Sequence, residues 1–515
     1  MSRTQKTAKN ASVGLACTII NSGLSFVLRA VFIRLLGLEY AGINTLFSDI
    51  LSILNLADLG FSNAILFRLY KTISDGDDRK TELYLSVYKK FCYAIGVIVG
   101  VAGLCCIPFL NVLVKETPSF PEPLWSLYII VLFTGVLNHL LNYKGVLLIA
   151  KQDRYIATII QYICIFLRNA LQIFVLAVFK NIYLYLLVTT FTVLLQGIWT
   201  GIKSNKKYKL SWRSKEKLPK SETRAIAKDV GALSAYKICR TIDSTIDTFL
   251  ISKFVDVATT AIYGSISMVL NALNELLGTF NDGMIASVGD LNAEDDKKHL
   301  ESVFYQSFHF TFLLYGIITV SLVPFISEFS LLWIGHTLEI NCIYIMLINF
   351  MMYGFGLNVA TFRNSMGIFT KGWIRPAITA LLNLIFSLLL VNKMGLVGTL
   401  IGTLIARTLT LVWYDPWLVL HIGMKKSPVK YYLRYLLYMA FVFAVSVPVV
   451  LLSSVLPPVC GFISLIWHGV IYFVVAVIAL ILLGSFIPEQ KILIEKILAL
   501  ISQIFKNIKK VFKKV

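Results

Sequence analysis

Charged and hydroxyl-bearing residues inside apolar stretches are the features of this sequence that could do chemistry. In the first long apolar stretch, Thr18, Ser22, Ser25 and Arg29 follow one another at spacings of 4, 3 and 4 residues. This spacing predicts a helix on which the side chains share one face. A charge deep in a bilayer costs at least ~2.5–3.5 kcal/mol, so it persists only beside a partner or a hydrated cavity. We therefore interpret this face as the lining of a cationic, water-accessible cavity.

A later apolar stretch, which begins near residue 230, carries the densest set of charges. Arg240, Asp243 and Asp247 follow Tyr236 at helical spacing, and Lys237 begins the adjacent stripe. A face this hydrophilic cannot contact lipid at acceptable cost. Its cations can match the negative charge of a phosphate, and its carboxylates can take up H⁺ or Na⁺. Internal ion pairing, such as that of Arg240 with Asp243, is the alternative interpretation.

Other predicted helices also carry charges at bilayer depth. We divide the charged residues into cations that could bind an anionic substrate and carboxylates that could couple an ion gradient. The substrate-binding candidates are Arg29, Lys237, Arg240, Arg168, Arg363 and Arg407. The ion-coupling candidates are Asp49, Asp58, Asp243, Asp247, Glu275 and Asp282.

The composition of the 515-residue chain indicates its class. The chain is 57% hydrophobic and 15% charged, with a mean hydropathy of +0.76, whereas a soluble domain is about 45–50% apolar and ~25% charged. The apolar stretches are continuous, unlike the alternating strands of a membrane β-barrel. The net charge of +20 comes from Lys and Arg in loops, where the positive-inside rule explains it without nucleic acid. The sequence predicts an all-α polytopic membrane protein.

Hydropathy predicts about 14 transmembrane helices, arranged as two six-helix lobes in parallel pseudo-repeat plus two C-terminal helices. A short echo of residues 54–60 at 273–278 supports the repeat. The loop charges predict that both termini are cytoplasmic. The expected segments are an N-terminal lobe 1–202, a basic cytoplasmic linker 203–229, a C-terminal lobe 230–420, two extra helices 421–487 and a basic amphipathic cytoplasmic tail 488–515 that lies on membrane lipids.

Enzyme signatures are missing from the sequence. It has no G-x-x-x-x-G-K-[ST] loop for ATP hydrolysis and no H-E-x-x-H zinc motif. Its eight cysteines form no C-x-x-C pair, which is typical of small core residues. The predicted outer loops are short, which argues against a membrane-embedded polymerase or ligase acting on sugar chains. We expect a transporter that is not an enzyme and has no cofactor, driven by an H⁺ or Na⁺ gradient.

One part of the chain resembles a known family. Residues 35–44 (LLGLEYAGIN), 46–48 (LFS) and 56–60 (LADLG) are similar to the opening of bacterial polysaccharide repeat-unit flippases. These proteins belong to the multidrug/oligosaccharidyl-lipid/polysaccharide exporter superfamily. The resemblance implies two lobes around a central cationic cavity with alternating access. It also implies that the substrate is an undecaprenyl-diphosphate-linked oligosaccharide, moved from the inner to the outer leaflet.

The same resemblance implies a place in capsule or exopolysaccharide synthesis at the bacterial plasma membrane, beside a polysaccharide polymerase and glycosyltransferases. Two alternatives within transport stay open. The two extra C-terminal helices match the fourteen-helix plan of the lipid II flippase as well as that of many polysaccharide exporters. A multidrug/cation antiporter should prefer an acidic cavity, which Arg29, Lys237 and Arg240 argue against.

The cavity hypothesis predicts the behaviour of two arginine variants. Arg29→Ala and Arg240→Ala should each abolish polymer export while the protein still reaches the membrane, because each removes a cation from the proposed lining. Surface polymer and membrane-bound protein are measured side by side. Normal polymer levels in both variants would contradict the hypothesis.

Overall fold

The computed structural model of this chain is helical throughout the part that it describes. It describes residues 3–55, 61–212, 218–293, 296–368 and 374–495. Within these ranges it contains α-helices with short 3₁₀ and π segments and no strand. Nine segments of the described chain are long and apolar enough to cross a membrane. The predicted class, an all-α polytopic membrane protein, is confirmed.

The described residues form sixteen α-helices. The first eight are α1 (Arg3–Leu36), α2 (Leu38–Leu54), α3 (Phe61–Ser74), α4 (Asp78–Cys106), α5 (Leu124–Asn142), α6 (Gly145–Ala150), α7 (Arg154–Phe179) and α8 (Ile182–Lys207). The others are α9 (Lys220–Phe254), α10 (Val257–Ala293), α11 (Lys297–Ile334), α12 (Ile340–Ser365), α13 (Arg375–Thr410), α14 (Tyr414–Trp417), α15 (Val429–Val455) and α16 (Phe462–Gly484). A 3₁₀ segment, Ile107–Val112, extends α4, and a π segment, Leu418–Gly423, follows α14.

Gly395 divides α13 into two helical halves. Its φ of 55° is non-helical and lies in the left-handed region, so the chain reverses there. A Cβ at Gly402 would lie 2.3 Å from the Ser387 hydroxyl oxygen, so the two halves of α13 pack closely against each other. Glycine is required at both positions, by backbone conformation at the first and by close approach at the second.

The chain forms two compact units, Met1–Ser265 and Ile266–Val515. The first unit contains α1 to α9 and the beginning of α10. The basic segment predicted as a linker, 203–229, is partly helical, because its first residues belong to α8 and its last ten to α9. The predicted boundaries of the lobes stay a prediction.

The first unit is a helical bundle in which α1 packs on α7, α5 on α8 and α2 on α9. The chain that leaves α8 is also fixed to this bundle. The Trp212 ring packs edge-on against Tyr143, with 5.1 Å between centroids, and is buried in a cluster that includes Leu85 and Leu147. The beginning of the basic segment is therefore a structural part of the unit.

The second unit is organised around α11, which packs against α12, α15 and α16. Phe308 on α11 contacts Phe355 of α12 and Tyr431 of α15, with ring centroids 5.1 and 4.6 Å apart. Phe312 stacks on Tyr438 of α15 at 4.1 Å. Aromatic packing therefore joins α15, the first of the two predicted extra helices, to α11.

The predicted amphipathic tail lies mostly outside the described residues. Its first part, 488–495, is helical and is held at two points. Glu489 pairs with Arg434 of α15 at 2.5 Å, and Gln490 lies 3.0 Å from the His309 ring of α11. The beginning of the tail is therefore docked on α11 and α15. Its predicted position on anionic lipid stays a prediction.

Two glycine substitutions test the packing of the first unit. A Cβ at Gly42 of α2 would lie 2.0 Å from the Val257 carbonyl oxygen at the start of α10. Gly42→Ala should therefore lower the free energy of unfolding by about 1–3 kcal/mol, because backbone must move. Gly23→Ala is the matched control, since its Cβ would meet open space, and it should be neutral or stabilising. Thermal unfolding of the purified protein measures both, and equal stabilities would contradict the packing.

Candidate anion-binding site

A polar cavity of about 350 Å³ lies inside the first unit, between α1, α2, α5, α7 and α8. Three helices each contribute a pair of polar residues spaced by four, namely Asn44 and Ser48 on α2, Arg168 and Gln172 on α7, and Tyr185 and Thr189 on α8. Residues four apart lie on one face of a helix, so each pair points the same way. The size is within the range of ligand sites, and the polar lining suits water or a polar ligand rather than an empty void.

Hydrogen bonds fix the helices that form the cavity wall. The Gln172 side-chain amide donates to the Thr189 hydroxyl at 2.9 Å and to the Tyr185 carbonyl at 3.2 Å, which joins α7 to α8. Thr134 of α5 and Thr190 of α8 share a hydrogen bond of 2.7 Å. The polar groups are thus held in place before any ligand binds, which lowers the entropic cost of binding.

Arg168 supplies the positive charge of the cavity. Among the described residues, no carboxylate pairs with its guanidinium and no acceptor lies within hydrogen-bonding distance; its electrostatic neighbour is the Tyr185 hydroxyl. The next residue, Asn169, is 1% exposed, and its Nδ2 also has no partner among the described residues. Two adjacent donors therefore face the cavity without acceptors. Because unpaired buried donors and charges are costly, the arrangement favours a ligand that brings anionic oxygens.

Arg29 has a different environment, outside the lining of this cavity. Its Nε donates to the Ser265 hydroxyl at 2.9 Å, and its Nη2 donates to the Ala261 carbonyl at 2.9 Å and the Thr45 hydroxyl at 3.2 Å. These bonds join α1 to α2 and to the start of α10. The guanidinium is thus satisfied by neutral oxygens. Its charge still adds to the cavity's potential, because Tyr185 interacts electrostatically with both arginines.

Two of the predicted ion-coupling carboxylates lie where α9 meets neighbouring helices. Asp49 of α2 hydrogen-bonds the Thr248 side chain of α9. Asp247 of α9 is 5% exposed and accepts a hydrogen bond of 3.3 Å from the Tyr263 hydroxyl of α10. Neutral hydroxyl donors stabilise a carboxylate less than a cation would. Both carboxylates therefore remain candidates for binding an ion.

Ser25, from the predicted face of α1, also lines the cavity, but no other charged candidate whose side chain the structure describes does. Lys237, Arg240 and Asp243 lie on α9, Glu275 is exposed on α10, Asp282 is on α10 with a side chain that is not described, and Asp58 lies outside the described residues. Their predicted roles stay predictions.

Arg363 and Arg407 belong to the second unit and have polar partners there. Arg363 and Arg375 both pair with Asp415, at 3.0 and 3.1 Å, and the Asp415 side chain is only 1% exposed. Arg407 donates to the Asn349 side-chain oxygen at 3.3 Å. Removing one member of such a buried pair typically costs about 3–5 kcal/mol, so Arg363 has a structural function that the sequence interpretation did not identify.

Sequence reasoning missed several neutral residues of the site. Asn169, Gln172 and Thr189 were not among the candidates, although polar residues at 168, 169 and 172 inside an apolar stretch were a usable signal. Among the described residues, no group of His, Cys, Asp or Glu could hold a metal ion. The described lining of the cavity offers hydrogen bonding and charge pairing with an anion.

The two arginines of the first unit should differ in their effect on stability. Arg29→Ala should lower the free energy of unfolding by at least ~1–3 kcal/mol, because it leaves buried acceptors without donors. Arg168→Ala should leave stability unchanged or raise it, since it removes an unpaired charge held for a ligand. Thermal unfolding without substrate measures both. A larger loss for Arg168→Ala than for Arg29→Ala would reverse the two assignments.

Known proteins similar to this chain agree with its fold. Comparison with curated protein sequences gives no match. A lipid II flippase, MurJ, in an inward closed conformation superimposes with a TM-score of 0.67 at 13% identity, over 90% of this chain and 97% of that one. An inward-facing MATE-family multidrug resistance transporter of the MOP superfamily gives a TM-score of 0.62 at 13% identity, over 79% and 97%. A MOP superfamily transporter from Pyrococcus furiosus Vc1 gives 0.54 at 13% identity, over 82% and 96%.

These superpositions establish the fold, which is that of MOP superfamily transporters. The sequence relationship comes from a family profile described as "Polysaccharide biosynthesis protein", which matches residues 7–285. The match covers more than half of the chain and includes all the helices that form the cavity. The chain is a multi-pass membrane protein that belongs to the polysaccharide biosynthesis protein family.

Proposed function

We propose that this protein is a flippase for a lipid-linked oligosaccharide. Its substrate is an undecaprenyl-diphosphate carrying an oligosaccharide repeat unit, which it moves from the inner to the outer leaflet of a bacterial plasma membrane for capsule or exopolysaccharide synthesis. The observation that carries the proposal is the unpaired Arg168 guanidinium beside the unpartnered Asn169 amide in a polar cavity. The family match to polysaccharide biosynthesis proteins supports the same substrate class.

Moving a diphosphate through a bilayer has a large free-energy cost. A charged headgroup at bilayer depth needs opposite charge and hydrogen-bond donors there. Arginine offers donors in a planar fork that matches phosphate oxygens, and it keeps its charge at every physiological pH. The Asn169 amide adds neutral donors next to it. The substrate's acceptors and the cavity's donors thus satisfy each other.

The composition of the cavity also separates the proposal from its rivals. A multidrug/cation antiporter needs anionic groups for its substrate, whereas the described residues that line this cavity include Arg168 and no carboxylate. A lipid II flippase stays the main alternative, because its substrate carries the same diphosphate and the lipid II flippase MurJ shares the fold. The family match favours surface polysaccharide over peptidoglycan.

The energy source in this proposal is an H⁺ or Na⁺ gradient acting by alternating access. Asp49 and Asp247 are the carboxylates of the first unit that we assign to this step, because each accepts a hydrogen bond from a hydroxyl of a neighbouring helix. Both termini are cytoplasmic in this scheme. The polymerase and glycosyltransferases that make and extend the repeat unit are the expected partners.

Flipping by Arg168 variants tests the proposal. In proteoliposomes with a labelled undecaprenyl-diphosphate oligosaccharide, Arg168→Gln should reduce the flipping rate at least tenfold, because loss of a charge-assisted bond of about 1.5–3 kcal/mol changes binding by that order. Arg168→Lys should retain part of the rate, since it keeps the charge but loses the fork.

The matched control is Arg154→Gln, which alters an exposed arginine on the same helix, α7, and should flip normally. Wild-type flipping by Arg168→Gln would contradict the proposal. Equal rates with lipid II and with a surface-polysaccharide precursor would favour the lipid II alternative over a dedicated polysaccharide role.

A further inference from the structure

A cluster of ionisable side chains lies in the second unit, where α11 packs against α16. The His468 Nδ1 of α16 lies 3.3 Å from both carboxylate oxygens of Glu328 on α11. The Tyr472 hydroxyl, one turn further along α16, donates to the same carboxylate at 2.8 Å. The sequence interpretation identifies none of these residues as a candidate. Glu328 is distant in the sequence from its two partners, and His468 and Tyr472 lie in a strongly apolar helix.

The cluster is enclosed but not sealed. The His468 side chain is 4% exposed and that of Glu328 is 20% exposed. Glu328 lies six residues before the C-terminal end of α11, and His468 lies six residues after the N-terminal end of α16. At 1.5 Å per residue, each is about 9 Å from that end of its helix. The carboxylate is therefore partly exposed, while most of the pair is surrounded by protein.

Few other groups face the pair. Tyr472 comes from α16, and Ser453 of α15 lies beside the Tyr472 hydroxyl. Among the described residues of α11, α12, α15 and α16, no other charged side chain hydrogen-bonds to Glu328 or His468, and Nε2 of His468 has no hydrogen-bond partner. The net charge at this position therefore depends on the protonation of Glu328 and His468. The pair carries one negative charge without a proton and is neutral with one.

We propose that Glu328 and His468 form a proton-binding site, and that the proton taken up there drives transport. The proton is held between the carboxylate and the imidazole, with Tyr472 fixing the carboxylate by its hydrogen bond. The site is separate from the anion cavity of the first unit. Proton binding stands by itself, whereas its role in driving transport rests on the proposed function.

The ligand set favours a proton over a sodium ion. Hard cations such as Na⁺ are bound by several oxygen atoms, whereas this site offers one carboxylate, an imidazole nitrogen and the Tyr472 hydroxyl, which already donates to that carboxylate. One carboxylate oxygen already accepts a hydrogen bond from Tyr472, and both oxygens lie 3.3 Å from Nδ1 of His468. Taking up a proton requires no further ligand and no rearrangement of these side chains.

Close helix packing gives the site a way to act on structure. A Cβ at Gly469, the residue after His468, would lie 2.8 Å from the Phe325 ring of α11. The two helices therefore touch directly beside the ionisable pair. Removing the proton leaves a net negative charge at this contact, which should loosen it by favouring entry of water. The contact between α11 and α16 is thus the element that responds to protonation.

A proton count tests the binding step without any substrate. The full-length protein in nanodiscs is titrated between about pH 8 and pH 5, the interval in which histidine sites change charge. The double variant Glu328→Gln with His468→Gln should take up one proton fewer per molecule than wild type. Glu328→Gln alone should show the same deficit, because an isolated buried imidazolium is unfavourable, and it covers the case in which the double variant does not fold. His309→Gln is the control, since this buried histidine bonds Tyr438 and Gln490 and no carboxylate.

A deficit absent from both variants, or equally present in His309→Gln, overturns the proton site. The coupling step is tested by flipping in proteoliposomes with an imposed proton gradient, where wild type should respond to the gradient and Glu328→Gln should not. A response in Glu328→Gln equal to that of wild type overturns the coupling role while the proton count stands. Absence of flipping by wild type would count against the proposed function and leave the proton count unaffected.

Discussion

The need to compensate a guanidinium buried within a membrane-spanning bundle governs this molecule. Three arginines meet that need in three ways. Arg29 donates to neutral hydroxyl and carbonyl oxygens of neighbouring helices, and Arg363 pairs with the buried Asp415. Arg168 has neither solution among the described residues, so its compensation must come from water or from a ligand. By their partners, Arg29 and Arg363 stabilise the fold, whereas Arg168 is the arginine that we propose binds the substrate.

The sequence was sufficient to predict the helices and the charges inside them, because apolar length and helical spacing are local properties. It could not decide which charges meet, because that depends on which helices pack together. Arg363 and Asp415 are 52 positions apart, and two of the acceptors of Arg29 belong to a helix more than 230 residues away. Among six candidate cations, only contact information separates Arg168 from the others. The neutral donors Asn169 and Gln172 were missed because the binding candidates were chosen among charged residues.

The account assigns two kinds of binding to two different parts of the chain. The anion cavity is built by helices of the first unit, within the segment that matches the polysaccharide biosynthesis family. The Glu328–His468 pair belongs to α11 and α16 of the second unit, and α16 is one of the two helices beyond the predicted lobes. If both proposals hold, separate sites allow substrate and driving ion to be bound at different stages of a cycle. In these proposals, the anion cavity binds its ligand through an unpaired cation, and the Glu328–His468 pair binds and releases a proton.

Direct binding of the lipid headgroup tests the central claim most simply. The affinity of wild type and of Arg168→Gln is measured in nanodiscs for undecaprenyl diphosphate and for undecaprenol, which has the same tail without the phosphates. The account predicts that wild type binds the diphosphate at least tenfold more tightly than Arg168→Gln does, and that the two proteins bind undecaprenol equally. Equal affinity of the two proteins for the diphosphate would contradict it.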